Sequence, residues 1–133
     1  MSLISKATQI VVALANKPGV LAGLCSTLGK AGINIIAVHA PEAKGRGKVR
    51  VMVIADDLER TKALLKGAKV RFSEEEVLDI EMDNRPGAFG ELAGKLSRAK
   101  IDIRYAYSTT AAFARARVII AVPDVNKALA ALG

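Results

Sequence analysis

At 133 residues with a net charge of +7, the chain can form one ordinary domain or two small ones that share a core. A hydrophobic fraction of 51% and a mean hydropathy of +0.27 are high beside 25% charged residues, which points to apolar surface kept for an interface. No apolar stretch reaches the roughly 20 residues of a membrane helix, no signal-peptide layout opens the chain, and a lone Cys25 excludes an intrachain disulfide, so a cytoplasmic setting is expected.

Gln9–Ala15 is β-branched and apolar and predicts a strand, ended by the turn Asn16-Lys17-Pro18-Gly19. Leu21, Leu24, Leu28 and Ala31 follow at i, i+3, i+7 and i+10, one apolar stripe at helical period, and Gly32 stops that helix. Strands are predicted over Ile33–Ala40 and Lys48–Ala55, joined by a loop carrying Lys44 and Arg46. Asp56-Asp57 opens a second helix, with Asp56 and Glu59 as a capping box, and Val70-Arg71-Phe72 predicts a fourth strand.

The pattern then begins again. Asn84-Arg85-Pro86-Gly87 repeats the turn 68 residues later, and eight positions are identical between Asn16–Ile35 and Asn84–Ile103. Before it, Leu78, Ile80 and Met82 alternate with Asp79, Glu81 and Asp83, a strand with one buried face. After it, Phe89, Leu92, Leu96 and Ala99 reproduce the helical stripe, and Lys100 stands where Gly32 stood. Strands over Ile101–Ser108 and Arg115–Val122 and a helix from Asp124 complete the copy, which stops where a fourth strand would begin. Residues 1–72 thus read βαββαβ and residues 73–133 βαββα. The expected class is α+β: two tandem ferredoxin-like βαββαβ sandwiches, the second copy lacking the last strand. Val11, Ala13 and Ala15 replace the second copy's three acids, so the first sheet is apolar on both faces and something should cover it.

An Asn-basic-Pro-Gly turn, an apolar-striped helix and then Gly32-Ile33-Asn34-Ile35 together resemble the ACT domain, and the second copy resembles it through Asn84–Gly87 and Ile101-Asp102-Ile103. The likeness covers residues 7–132, and the tandem arrangement resembles the stand-alone two-copy ACT proteins. The resemblance implies side-by-side pairing of units, as a dimer or other homo-oligomer, and binding of amino acids or similar small ligands. It implies a non-enzymatic regulatory role exerted on a partner enzyme or regulator, with no cofactor, catalytic residue or metal. The ligand would lie between one unit's first loop and helix start and the second strand of the paired unit. Carried over, the site residues are Asn16, Pro18, Gly19, Val20, Leu21, Ile33 and Asn34, with counterparts Asn84, Pro86, Gly87, Ala88, Phe89, Ile101 and Asp102. The change from Asn34 to Asp102 and the missing strand imply that the two sites need not be equivalent.

Physical chemistry points to the same turns. A helix start offers unpaired N–H groups and partial positive charge to a carboxylate. Gly19 and Gly87 leave the backbone approachable, Pro18 and Pro86 preset the turn, and Asn16 and Asn84 can accept from an ammonium and donate to a carboxylate.

The remaining polar residues read as structural. Arg115 and Arg117 are expected to pair across the sheet with Asp79 and Glu81, whereas Lys48 and Arg50 face no acids. Tyr105 and Tyr107 are expected to pack against helices, His39 to be a sheet-face residue, Cys25 a core filler and Phe113 an edge contact. The charge is concentrated in residues 1–66 (+6, against +1 for the rest), which raises an alternative, an RRM-like basic RNA-binding module. Such modules stack bases on aromatics of the two central strands, and the predicted first strands carry none. Catalysis is disfavoured because no nucleophile–base–acid set or phosphate loop is visible.

Overall fold

The computed structural model describes residues 3–41, 47–112 and 114–133, with residues 109–112 described by their backbone alone. Lys44, Arg46 and Phe113 lie outside the described residues. The chain divides into two compact units: residues 8–75, here the N-unit, and residues 1–7 with 76–133, here the C-unit.

The N-unit takes most of β1 (Leu3–Ala15), then α1 (Val20–Lys30), β2 (Ile35–His39), β3 (Lys48–Ala55), α2 (Leu58–Gly67) and the first residues of β4 (Phe72–Asp83). Its strand order is β2-β3-β1-β4, the ferredoxin-like arrangement. β1 and β3 run antiparallel with Ile10 opposite Val53 and Val12 opposite Val51. Paired residues share a face, and this face meets the helices in a core of Ile10, Val12, Leu24 and Leu65, with Leu14, Leu58, Val70 and Phe72 against it. On the other face Gln9, Val11, Met52 and Ile54 are also buried, as an apolar second face requires, while Ala13 and Ala15 are exposed.

The C-unit takes the rest of β4, then α3 (Ala88–Arg98), β5 (Tyr105–Ala112), β6 (Arg115–Ala121) and α4 (Val125–Leu132). Residues 76–133 supply the order βαββα. Residues 3–7 of β1 fill the fourth strand position, since the C-unit order is β5-β6-β4-β1. Ile4 packs on the core of Leu78, Ile80, Leu96, Ile120 and Leu132, and Lys6 reaches Glu76 at 3.8 Å. β1 is thus longer than the stretch Gln9–Ala15 read from hydropathy. Its first residues alternate too weakly to register as a strand before their neighbour β4 is known.

Helix ends follow local chemistry with two departures. The cap of α2 is Asp57, whose side chain accepts from Arg60 N–H at 3.0 Å. Asp56, expected to head a capping box, instead accepts from Asn34 N–H at 3.0 Å, and its own N–H returns to Asn34 O. After α2 and α3 the chain turns at Lys69 (φ 59°) and Lys100 (φ 58°), the left-handed role that Gly32 (φ 77°) plays after α1. All three ends close alike, as in Ile33 N–H to Leu28 O, Val70 N–H to Leu65 O and Ile101 N–H to Leu96 O.

Across the C-unit sheet Arg117 pairs with Asp79 through two hydrogen bonds, and Arg115 with Asp83 at 2.7 Å and Glu81 at 3.5 Å. The cross-sheet pairing read from the sequence is present. Arg50 does meet an acid, Glu75 at 3.8 Å, because β4 enters the N-unit beside β1.

Candidate functional site

Both turns are built alike. Asn16 N–H donates to Gly47 O (3.2 Å) and Asn84 N–H to Ala114 O (2.9 Å), which pins each turn to the loop preceding the third strand of its unit. Val20 N–H closes on Lys17 O and Ala88 N–H on Arg85 O. Gly19 (φ 86°) and Gly87 (φ 82°) then start α1 and α3 in the left-handed region, with no side chain capping either helix. The first-turn amides of Leu21 and Ala22, and of Phe89 and Gly90, are therefore left to water or a ligand. A Cβ built on either glycine would have no atom within 4 Å, so backbone conformation, not crowding, requires glycine there.

In the N-unit this turn borders a cleft of about 430 Å³ lined by Leu14, Ala15, Asn16, Lys17, Leu21, Ala40, Pro41, Val49 and Val51. Asn16, Pro18 and Gly19 are exposed beside it, with Val20 half-buried. Leu21, placed by its period in the apolar stripe, is 38% exposed, and its counterpart Phe89 is 43% exposed. Both stand in the first helical turn, ahead of the buried leucines, which begin at Leu24 and Leu92.

Ile33 and Asn34 are not brought to this cleft. They follow the far end of α1, whose 11 residues span about 16 Å. Ile33 is buried, and both main-chain groups of Asn34 are engaged by Asp56. The C-unit repeats the separation. Ile101 and Asp102 border a groove of about 410 Å³ with Ser97 and Lys100. Met82, Asp83, Arg85, Ala88, Glu91, Leu92 and Lys95 line a cleft of about 320 Å³ with Ile4 and Leu132. Asn84, Pro86, Gly87 and Phe89 form the exposed turn and helix start.

The cations of the two motifs differ in state. Arg85 donates to Glu91 from both terminal nitrogens, at 3.2 and 2.7 Å. That contact holds the Glu91 carboxyl below the ordinary glutamate range and raises the guanidinium. Among the described residues, the Lys17 side chain has no ionic partner. Lys17 and Arg85 were part of the motif as read, yet only the structure puts them on cleft walls. Ala40, Pro41, Val49 and Val51 carried no sequence signal for the cleft, since they come from β3 and the residues after β2.

The tyrosines do not pack on the helices. Tyr107 lies opposite Ile119, next to Arg117 on β6, and Tyr105 opposite Ala121, all on the sheet face away from the helical core. They also sit on β5, an edge strand of its unit, whereas an RRM stacks bases on central strands. Cys25 is half-buried, beside rather than within the core. No group of three potential metal ligands occurs among the described residues, and none of their helices is long and apolar enough to cross a membrane.

The ACT domain family matches residues 8–66, the segment that carries the first turn, cleft and α1. Residues 8–66 form an ACT domain. The N-unit has the βαββαβ order of the ferredoxin-like layout, and the match ends within α2 (Leu58–Gly67). Among curated proteins none matches by sequence. Among solved structures, a Bacteroides thetaiotaomicron protein is 27% identical with a TM-score of 0.89, covering 97% of this chain and 88% of that one. The ligand-free regulatory subunit of aspartate kinase from Thermus thermophilus is 14% identical with a TM-score of 0.68, over 98% of this chain and 93% of its own. Aspartokinase III of E. coli, solved with aspartate and ADP, is 15% identical with a TM-score of 0.59; the match covers 98% of this chain and 32% of that one. At 14–15% identity these two aspartate kinase structures establish shared fold.

Proposed function

We propose that this protein is a non-enzymatic regulatory module that binds a small molecule, an amino acid by the chemistry of its turns, and signals occupancy to a partner enzyme or regulator. The observation that carries this reading is the N-unit cleft. Its wall brings Lys17 and Asn16 together over Leu14, Leu21, Val49 and Val51. A carboxylate suits the lysine and the uncapped helix start, an ammonium suits the Asn16 carbonyl, and the apolar wall suits a side chain. A volume of about 430 Å³ falls within the usual range for small-molecule sites. The likeness to regulatory subunits of aspartate kinase supports the same reading by analogy.

Residues 76–133, with the repeated turn, are read as a second ACT unit. Ile33, Asn34, Ile101 and Asp102 join a site in this proposal through side-by-side pairing of ACT units in a homo-oligomer, since within one unit they lie beyond the far end of the helix. RNA binding is the weaker alternative.

A thermal-shift screen of the twenty amino acids tests this. A ligand that binds only the native state stabilises by RT ln(1 + [L]/Kd), about 2.7 kcal/mol at 100 Kd. One or a few amino acids should raise Tm by several degrees. No shift with any of them at millimolar concentration would sink the proposal.

A further inference from the structure

We infer that the two turns do not work alike: the C-unit turn is held closed by the protein's own Glu91 carboxylate, and the N-unit turn is the one open to a carboxylate-bearing ligand. This rests on the reading of the turns as ligand sites. Arg85 holds the motif position that Lys17 holds in the N-unit. Its Nη1 donates to Glu91 Oε1 at 3.2 Å and its Nη2 to Oε2 at 2.7 Å. This is the parallel two-bond geometry by which a guanidinium takes up a free carboxylate. Both oxygens of Glu91 therefore sit on the cation that an incoming carboxylate would need.

Helix α1 of the N-unit has no acid at the matching position. The residue 68 positions before Glu91 is Gly23, which has no side chain, and the first turn of α1 contains no acid. Glu91 stands in the first turn of α3, where its charge also offsets the positive end of that helix. The clefts differ accordingly. Among the described residues, Lys17 and Asn16 face the N-unit cleft without a competing carboxylate on its wall, whereas Arg85 and Glu91 line the C-unit cleft together. The paired side chains are 50% and 62% exposed, so water screens their attraction. Closure is thus a competition that weakens binding several-fold, and one substitution should relieve it.

The experiment uses the full chain, labelled with ¹⁵N and titrated with sodium acetate against sodium chloride at matched ionic strength. Amide spectra report each turn separately and show whether each variant is folded. In the unaltered protein the Leu21 and Ala22 amides should shift and saturate, with Phe89 and Gly90 responding several-fold more weakly. Glu91→Gln should bring the C-unit response up to that of the N-unit. Gly23→Glu, which has open space at its Cβ, should weaken the N-unit response. Equal responses at both turns of the unaltered protein, or a C-unit response that Glu91→Gln leaves unchanged, would overturn this inference and leave the ligand-binding role standing. No acetate response at either turn in any of the three proteins would overturn both.

Discussion

Ser5 Oγ–H donates to the main-chain oxygen of Asp79 at 3.3 Å, joining the start of the chain to a strand 74 residues further on. With Ile4 packed on the C-unit core, this contact gives residues 3–7 a tertiary role that hydropathy does not announce. Ile4→Ala should cost about 1–2 kcal/mol, below the usual range for fully buried isoleucine because the residue is only half-buried. Urea denaturation would measure the loss, and amide exchange should accelerate first along residues 76–80.

Arg117 and Asp79 form a sheltered ion pair on the C-unit sheet, with side chains 36% and 13% exposed. Arg117→Ala would leave the Asp79 carboxylate partly buried without its main partner, at a cost of about 1–3 kcal/mol. A double-mutant cycle with Asp79→Ala should show coupling between the two sites. Additive losses would mean that the pair contributes nothing beyond its separate groups.

Lys69 and Lys100 occupy left-handed positions that glycine takes without strain. Lys69→Gly and Lys100→Gly should each stabilise the protein by about 0.5–1 kcal/mol, read as a higher midpoint at unchanged m-value.

Gly19 and Gly87 make the converse case. Gly19→Val and Gly87→Val should each destabilise by at least about 1–2 kcal/mol through backbone strain, since a Cβ meets no atom there. If the N-unit is the responsive site, only Gly19→Val should also abolish the ligand-induced rise in Tm.

The Arg85–Glu91 pair has a definite pH signature. The Arg85 hydrogen bonds hold the Glu91 carboxyl below its ordinary value of about 4.5. Its contribution to stability is therefore complete above that value and is lost as pH falls through the lower folded-state pKa. The Tm difference between the unaltered protein and Glu91→Gln should be constant near neutrality and shrink in acid. A gap that persists unchanged to pH 3 would show that the pair does not titrate as described.

Much of this architecture was legible in the sequence, because it rests on interactions between near neighbours. Leu24 and Leu28, Leu92 and Leu96 declare helices by their spacing, and Pro-Gly after Asn declares the bends. Lys48–Ala55 was bounded correctly, since its alternation and its pairing with β1 agree. Tertiary structure decided the rest. Asp57 caps α2 because Asp56 is drawn to Asn34 across the unit, a partner 22 residues away. Leu21 and Phe89 fit the helical stripe yet emerge into solvent, because a period assigns a face but not where along the helix the sheet ends.

The sequence by itself determined the repeated unit, its ferredoxin-like order and the two glycine bends, all consequences of local periodicity and backbone preference. Only the tertiary structure decided that residues 3–7 complete the second unit, that Lys17 opens onto a cleft, and that Arg85 is already occupied by Glu91. Those outcomes depend on strand neighbours and side-chain reach, which spacing along the chain does not encode.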